Sequence, residues 1–406
     1  MASLGERIRK LRKEKGLTLQ TLAGTELSKG MLSLIENNKA NPSMESLAYI
    51  AERLGVDRNE LLEEVPTAEL RELLEEIEDL YKKTLEDLSL GFDTIIDKMN
   101  PYANKLPHRY ESARLLEIYS RGLYYAKKEG WKVFLHQAEE MYEDLHLMNN
   151  SADIHMFRAM LKFNDHKYAE SLEMLQQSRK SFEERDVVLD SLKKLDFDYS
   201  EAILYLALSD DENALRIIEK AISYSKEHQI FYRINDLYRV MSFHAILTGD
   251  KAGKDYYVNK LRLFADFSDD QDIDMTLDLL EAHYLNSFAH DYEKANTIID
   301  KNLEKYKEEE TSQYFLEKGK SLYGMGKEDE ALYWLERHKI WEFLHHPYDL
   351  SMNYEKDAYL ALIYEKQDNH EMALKHSQIA KDNIEPMPDL PYKNFILDVY
   401  NKINAK

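Results

Sequence analysis

The sequence predicts an all-α protein, with a small basic head of short helices followed by a long array of repeated helical hairpins. Three observations carry this. The 406 residues include only 13 Gly and 8 Pro, so turn formers are scarce and helix formers dominate. Apolar residues recur at spacings of three and four along most of the chain. From Tyr110 onward, one helix-pair pattern returns every 36 to 43 residues.

The first helix is expected over about Ser3 to Lys15. Ser3 can cap it, with Glu6 three residues later completing a capping box. Leu4, Ile8 and Leu11 share one face, and Arg7, Arg9, Lys10, Arg12, Lys13 and Lys15 crowd the rest. Gly16 ends it. Thr18 caps a second short helix with Leu19, Leu22 and Ala23 inward. Gly24 and Thr25 break the chain. Ser28 caps a third helix running to about Asn37, with Leu32 and Ile35 buried. Asn41-Pro42-Ser43 turns into a fourth helix that buries Leu47, Ile50, Ala51 and Leu54. A last short helix follows Gly55-Val56-Asp57 and runs to Glu64.

Two short helices joined by a tight turn, the second capped by Ser and polar outside, form a helix-turn-helix pattern. Base edges are read by hydrogen bonds in the major groove, so a recognition helix presents short polar or basic groups outward. Lys29, Gly30, Ser33 and Asn37 are the outward candidates. Ser28, Lys39 and Arg9 are better placed for phosphates, which position a protein without reporting sequence. The segment resembles the Xre/Cro-type helix-turn-helix in its IRKLRKEKGLT opening, its LA, its S-x-x-x-L-S-x-I-E run and its NPS…L…IA…LG. The resemblance implies a pair between Arg12 and Glu36 that locks the first helix to the third. The chain departs from the pattern by one residue fewer between Ala23 and Ser28, and by Leu19 where relatives often carry a polar group.

Composition bounds the rest. At 406 residues two or more domains are expected. The formal net charge is −22, yet residues 1–40 hold 8 Lys and Arg against 4 Asp and Glu. Phosphate affinity comes from clustered cations, so binding of double-stranded DNA is confined to the head. The absence of Cys excludes disulfides and thiolate sites. The N-terminus lacks a signal-peptide core, and no run of about 18 apolar residues exists. A soluble, cytoplasmic protein with no membrane partner is expected. No HExxH, Walker loop, GxSxG or GxGxxG occurs, and His345-His346 reads as a loop pair. No enzyme activity, metal or cofactor is expected.

Glu63 to Thr67 reads as a linker, with Pro66 ending one helix and Thr67 capping the next. Ala68 to Asp87 is an acidic helix with Leu70, Leu73, Leu74, Ile77, Leu80 and Tyr81 on one side, a connector or a dimer seam. A further helix is expected from about Ser89 to Met99. The domain division is thus 1–64, a connector at 65–109 and a repeat region at 110–406.

In the repeat region, Phe134, Ser171, Ala214, Lys254, Ala295, Ala331 and Ala373 align. Twelve residues before each stand Gly122, Ala159, Ala202, Ser242, His283, Gly319 and Ala361. Six of these seven are small, as two closely crossing helices require. The series resembles tetratricopeptide repeats, lengthened beyond their usual period of about 34; a generic α-solenoid of another repeat type is the alternative. Seven helix pairs and a capping helix at Pro391 to Ile403 are expected. Such repeats stack into a right-handed superhelix whose concave groove is lined by the first helix of each pair. That groove suits an extended peptide, with Arg121, Tyr199, Tyr205, Asn235, Arg239, His244, Tyr284, Asn286, Lys320 and Tyr323 as candidate contacts. Asn both donates and accepts, so it can clamp a peptide backbone.

An Xre-type head ahead of such repeats resembles the RRNPP group of quorum-sensing regulators (Rap, Rgg, NprR, PlcR, PrgX), with NprR the nearest in length and repeat count. The resemblance implies a cytoplasmic transcription regulator that assembles as a homodimer or higher and binds a short signalling peptide in the groove. Peptide would then change the spacing of paired heads. It also implies a second, peptide-free activity on a sporulation response regulator. Rap proteins use a Gln ahead of their repeats, and residues 67–136 contain none. The alternative reading is a protein-interaction scaffold whose repeats dock a response regulator or another protein.

Overall fold

The computed structural model describes residues 3–57, 61, 65–307 and 312–405. Among them every regular element is helical. They divide into two compact units, Met1–Ile154 and His155–Lys406.

In the first unit, α1 (Leu4–Glu14) begins with a full capping box, in which the Ser3 hydroxyl accepts from the Glu6 amide and the Glu6 carboxylate accepts from the Ser3 amide at 2.8 Å. α2 (Leu19–Ala23), α3 (Lys29–Glu36) and α4 (Met44–Leu54) are capped by the hydroxyls of Thr18, Ser28 and Ser43. Each satisfies one of the orphan amides of a first turn. Ile8, Leu22, Leu32, Ile35, Leu47, Ile50 and Leu54 form the core of these four helices. Gly5 lets α1 touch the backbone of α3, since a Cβ there would lie 2.1 Å from the Ile35 carbonyl oxygen. Arg12 grips Glu36 through two bonds, Nε to Oε1 at 2.6 Å and Nη2 to Oε2 at 2.8 Å.

One cation expected on the surface turns inward, the expected Arg12–Glu36 pair forms, and the exposed Lys15 reaches back to the end of a neighbouring helix. Arg7 is buried, its guanidinium donating to the Leu61 carbonyl at 2.9 Å. Arg12 is taken by Glu36, and the Lys15 ammonium donates to the Leu54 carbonyl, at the end of α4. Long cationic side chains lay their stems on apolar surface and satisfy buried acceptors with their heads. The short helix expected to end at Glu64 falls mostly outside the described residues.

Helix α5 (Thr67–Glu86) buries Leu70, Leu73, Leu74, Ile77 and Tyr81 as one stripe. Thr67 does not cap it. Pro66 holds the cap position without a side-chain bond, and the Thr67 hydroxyl accepts from Arg109. The next helix, α6 (Asp93–Met99), starts four residues later than expected. A helical turn at Leu88–Leu90 precedes it, and Gly91 at φ +65° breaks the chain between them. α7 (Tyr110–Tyr125) and α8 (Trp131–Asp144) form a hairpin, tied by the Ser120 hydroxyl to the Trp131 carbonyl at 2.8 Å. α9 (Met148–Asn164) follows.

The second unit is a succession of hairpins. The end of α9 meets α10 (Tyr168–Glu184). α11 (Ser191–Ala207) pairs with α12 (Asp211–His228), α13 (Ile234–Thr248) with α14 (Lys251–Ser268), and α15 (Gln271–Tyr284) with α16 (Tyr292–Lys305). α17 (Phe315–Gly324) pairs with α18 (Glu328–Arg337) and α19 (Pro347–Lys366) with α20 (His370–Ile384), and α21 (Pro391–Asn404) packs on the last pair. The aligned small residues sit where the helices cross. Ala202, Ala214, Ala295, Ala331, Ala361 and Ala373 are all buried, and the Ser171 hydroxyl donates to the Ala159 carbonyl at 2.7 Å. A Cβ on Gly319 would lie 2.4 Å from Leu335. Two aligned positions of this unit are not small, and each has a polar reason. The Lys254 ammonium bonds Glu281 at 2.8 Å and lies 3.6 Å from the centre of the Tyr284 ring, and His283 joins a buried ion network described below.

Each hairpin turn contains one residue with positive φ: His166, Ser209, Gly249, His290, Gly326 and Asp368. Each stands five residues before the aligned position of its second helix. The turn between α7 and α8 departs from this, with two positive-φ residues, Lys127 and Gly130, seven and four residues before Phe134.

Candidate functional site

In the head, the exposed side of α3 is the side away from Leu32, Ile35 and Glu36. Lys29 and Gly30 are exposed on it, as are Lys39 beyond its end and Arg9 on α1. The Ser28 hydroxyl accepts the Met31 amide at 3.0 Å, so its role in the free protein is to cap. Ser33 is half-buried. The Asn37 amide nitrogen turns back to donate to the Ser33 carbonyl at 2.7 Å. The sequence reading passed over Met31 and Leu34, which are among the exposed large apolar residues. Their signal was present, since neither falls in the Leu32/Ile35 register of the buried face.

In the second unit the first helices of successive hairpins enclose a cavity of about 460 Å³. α9 supplies Met156, Met160 and Phe163, and α11 supplies Tyr199, Ile203 and Leu206. α13 supplies Arg239, Val240, Phe243 and His244, α15 supplies Leu279, Leu280 and His283, and α19 supplies Tyr348 and Met352. The walls are mostly apolar with a few convergent polar groups, the usual chemistry of a small-ligand site. A strap between α18 and α19 brings Phe343, Leu344, His345 and His346 to the same space.

The strap is fastened across the array. The Tyr168 hydroxyl donates to the His345 carbonyl at 2.7 Å. His346 Nδ1 accepts the Tyr348 amide at 3.2 Å, capping α19, so the ring proton sits on Nε2, which faces the Ile203 carbonyl at 3.1 Å. Burial holds this imidazole below the ordinary histidine pKa. The Tyr348 hydroxyl reaches Asp211 at 3.2 Å, and burial together with that carboxylate raises its pKa. Across the cavity, Arg239 lies 3.3 Å from the Tyr199 hydroxyl and 3.6 Å from Asp236, and its side chain stays 46% exposed. His244 Nε2 is buried without a hydrogen-bond partner, 3.5 Å from the Asp211 carboxylate.

Behind the cavity wall lies the ion network. His283 Nδ1 bonds Glu317 at 2.7 Å and its Nε2 meets the Tyr392 hydroxyl at 2.7 Å. The Lys320 ammonium bonds Glu355 at 2.6 Å, Ser287 at 2.6 Å and Glu317 at 3.2 Å. The Asn286 amide donates to the Glu317 carboxylate at 2.8 Å. Burial alone would raise both carboxyls. Lys320 and His283 together bring Glu317 below the usual range, whereas Glu355, held mainly by Lys320, stays above it.

Of the ten groove candidates, the structure brings Tyr199, Arg239 and His244 together on the cavity wall. Asn286 and Lys320 point elsewhere: both are fully buried in the ion network, where the neighbouring helix and not the groove takes their polar groups. Tyr205 accepts from Gln176 at 2.8 Å and packs beside Leu206 and Tyr392. Tyr284 is covered by Lys254, and Tyr323 packs against Tyr359, with Lys366 over its ring. Asn235 is half-buried at the start of α13. Arg121 belongs to the first unit, where it bonds the buried Glu117 at 2.6 Å. The lining follows a simple rule that also covers the missed Met156 and Leu280: like Tyr199 and Arg239, each stands three residues before a small or crossing position.

Comparison with known proteins places the head first. Residues 5–65 match the helix-turn-helix domain family. The HTH-type transcriptional regulator DdrOP3 of Deinococcus deserti is 43% identical over 63 residues, which make up 15% of this chain and 49% of that protein. The match therefore spans about half the length of this curated relative. Solved structures similar to the chain include Bacillus thuringiensis PlcR in complex with the peptide PapR7 and DNA, at 19% identity and a TM-score of 0.38, covering 68% of this chain and 98% of that one. The competence regulator ComR of Streptococcus vestibularis, with its signalling peptide XIP, is 19% identical at a TM-score of 0.39, covering 68% and 95%. The Streptococcus dysgalactiae SHP pheromone receptor Rgg2 is 17% identical at a TM-score of 0.32, covering 70% and 98%. PlcR and Rgg are among the regulators that the sequence resembles. No helix among the described residues is long and apolar enough to cross a membrane. Residues 5–65 are a helix-turn-helix domain of the kind that transcription regulators carry.

Proposed function

We propose that the chain is a cytoplasmic DNA-binding transcription regulator whose head is controlled by a short signalling peptide held in the cavity of the second unit. The observation that carries this reading is the cavity itself. Its walls are built from the first helices of four hairpins and from α19, mostly apolar, and one partly exposed guanidinium, Arg239, stands among them beside Tyr199 and Asp236. Apolar side chains of a peptide fill such walls, and Arg239 takes a peptide carboxylate through paired N–H donors. In this reading the protein acts as a homodimer or larger assembly, and peptide favours the arrangement of heads to which it binds better.

Native mass spectrometry of the full-length protein tests this, before and after incubation with the small-peptide fraction of spent culture medium. The expected result is a retained peptide mass, a change in assembly state, and loss of both in Arg239→Met. An unchanged spectrum from a protein that still binds DNA refutes the peptide reading.

A further inference from the structure

The exposed face of α3 is more apolar than a face that reads bases by hydrogen bonds alone. Met31 and Leu34 are each 44% exposed. They lie three residues apart, so they stand side by side on one helical face. The polar groups around them are partly committed, with Ser33 half-buried and the Asn37 nitrogen bonded back to the helix. Lys29 and Lys39, both exposed, flank the pair. An apolar pair between cations complements a surface of negative charge with apolar points set into it. The DNA major groove is such a surface, with phosphates along its rims and the C5-methyl of thymine as the apolar group that an unmodified base pair presents there.

Gly30 supports the same partner independently. It sits in the first turn of α3, on its exposed side, where glycine gives up more backbone freedom on folding than alanine would. Nothing within the protein asks for it: its φ is not positive, and a Cβ would meet no atom nearer than the Ser28 hydroxyl at 3.9 Å. Close approach of an outside surface does ask for it.

We infer that Met31 and Leu34 are specificity-determining residues that read thymine methyl groups, so the half-site bound by α3 contains T·A pairs at the positions under these two side chains. This rests on the DNA-binding reading of the head and goes beyond it by naming the feature of the base that is read.

The test starts from a random duplex pool selected with the full-length protein. An enriched duplex is then resynthesised with deoxyuridine in place of thymidine, one position at a time, and binding is followed by fluorescence anisotropy. Deoxyuridine keeps every hydrogen-bonding group and lacks only the methyl. At one or two positions the loss of the methyl is expected to weaken binding about fourfold, the equivalent of ~0.8 kcal/mol for one buried carbon group. Leu34→Ala or Met31→Ala should bind the thymidine duplex more weakly and be indifferent to the change at its own position. Both residues are exposed, so neither substitution threatens the fold. If the fully uridine-substituted duplex binds as well as the thymidine one, the inference is overturned while the DNA-binding reading stands. If both variants remain as sensitive as the parent, the methyl is read by another group and the inference again fails. If no sequence is enriched, the DNA-binding reading falls and takes this inference with it.

Discussion

Glu36→Ala isolates the strongest single tie within the head. The Glu36 side chain is 3% exposed and that of Arg12 is 11% exposed, and they share two charge-assisted bonds of 2.6 and 2.8 Å. Removing one member of a buried pair costs about 3–5 kcal/mol, because the other charge stays buried without its partner. Arg12 retains the Leu17 carbonyl at 2.8 Å and a little solvent, so the lower end, about 3 kcal/mol, applies. A domain of this size is worth only about 3–9 kcal/mol in total. The substitution therefore brings α1 and α3 close to their unfolding threshold without touching the outward face. Hydrogen exchange of the full-length protein reads this locally. Amides of Leu4–Glu14 and Lys29–Glu36 should exchange roughly a hundredfold faster, at one decade per 1.4 kcal/mol. Those of α19 and α20 should not change. Glu36→Gln keeps an acceptor facing the guanidinium and should lose about half as much. Unchanged protection in Glu36→Ala would refute the reasoning, since the pair would then be geometry without consequence.

Other substitutions separate stability from function. Gly30→Ala should stabilise the head by at most about 0.5 kcal/mol, the low end of the helix-interior value, measured by exchange protection of α3, and weaken DNA binding by crowding the face of approach. Lys320→Met leaves Glu317 and Glu355 facing each other in the interior and should lower the stability of the second unit by about 3 kcal/mol or more in a thermal melt; an unshifted melt would mean that the two carboxyls share a proton without difficulty. His346 is held neutral in the folded chain, whereas an unfolded imidazole takes up a proton below about 6.5, so its contribution is intact above that pH and declines as the pH falls through it. His346→Asn keeps a helix-capping side chain and should flatten the pH dependence of unfolding between about pH 6.5 and 5 by close to one proton. Equal slopes for parent and variant would place the titration elsewhere.

How much of this was legible in the sequence depends on how local each signal is. Ser3, Thr18, Ser28 and Ser43 act within their own first turn, and the spacing of Leu47, Ile50, Ala51 and Leu54 fixes a face without knowledge of neighbours. The repeat positions were legible for the same reason, since Ala202 and Ala214 are both buried within one hairpin. What failed was a choice between two partners. Arg7 reads as a surface cation until the Leu61 carbonyl, 54 residues away, is seen to accept from it. Asn286 and Lys320 lie on inner helices, but a turn of 100° per residue separates the groove side from the side facing the next helix, and apolar periodicity alone does not say which side a polar residue takes. The cavity was legible only as a groove. Its strap comes from residues 343–346, and no local pattern announces that a loop between two helices will reach back to Tyr168.

That reach changes the kind of object the second unit is. A solenoid behaves as a one-dimensional chain of neighbours, in which each hairpin can open without the knowledge of distant ones. Here Tyr168 and His345 are bonded across 177 residues of sequence, and His346 and Tyr348 tie α19 to α11 and α12. Tyr392 adds a tie from α21 to His283. The array is thereby closed into a ring of dependence, and loosening the last pair takes support away from the second. Folding must wait for these distant ends to meet, at the entropic cost of a long loop. The cavity these ties enclose is therefore expected to form late in folding and to open early in unfolding.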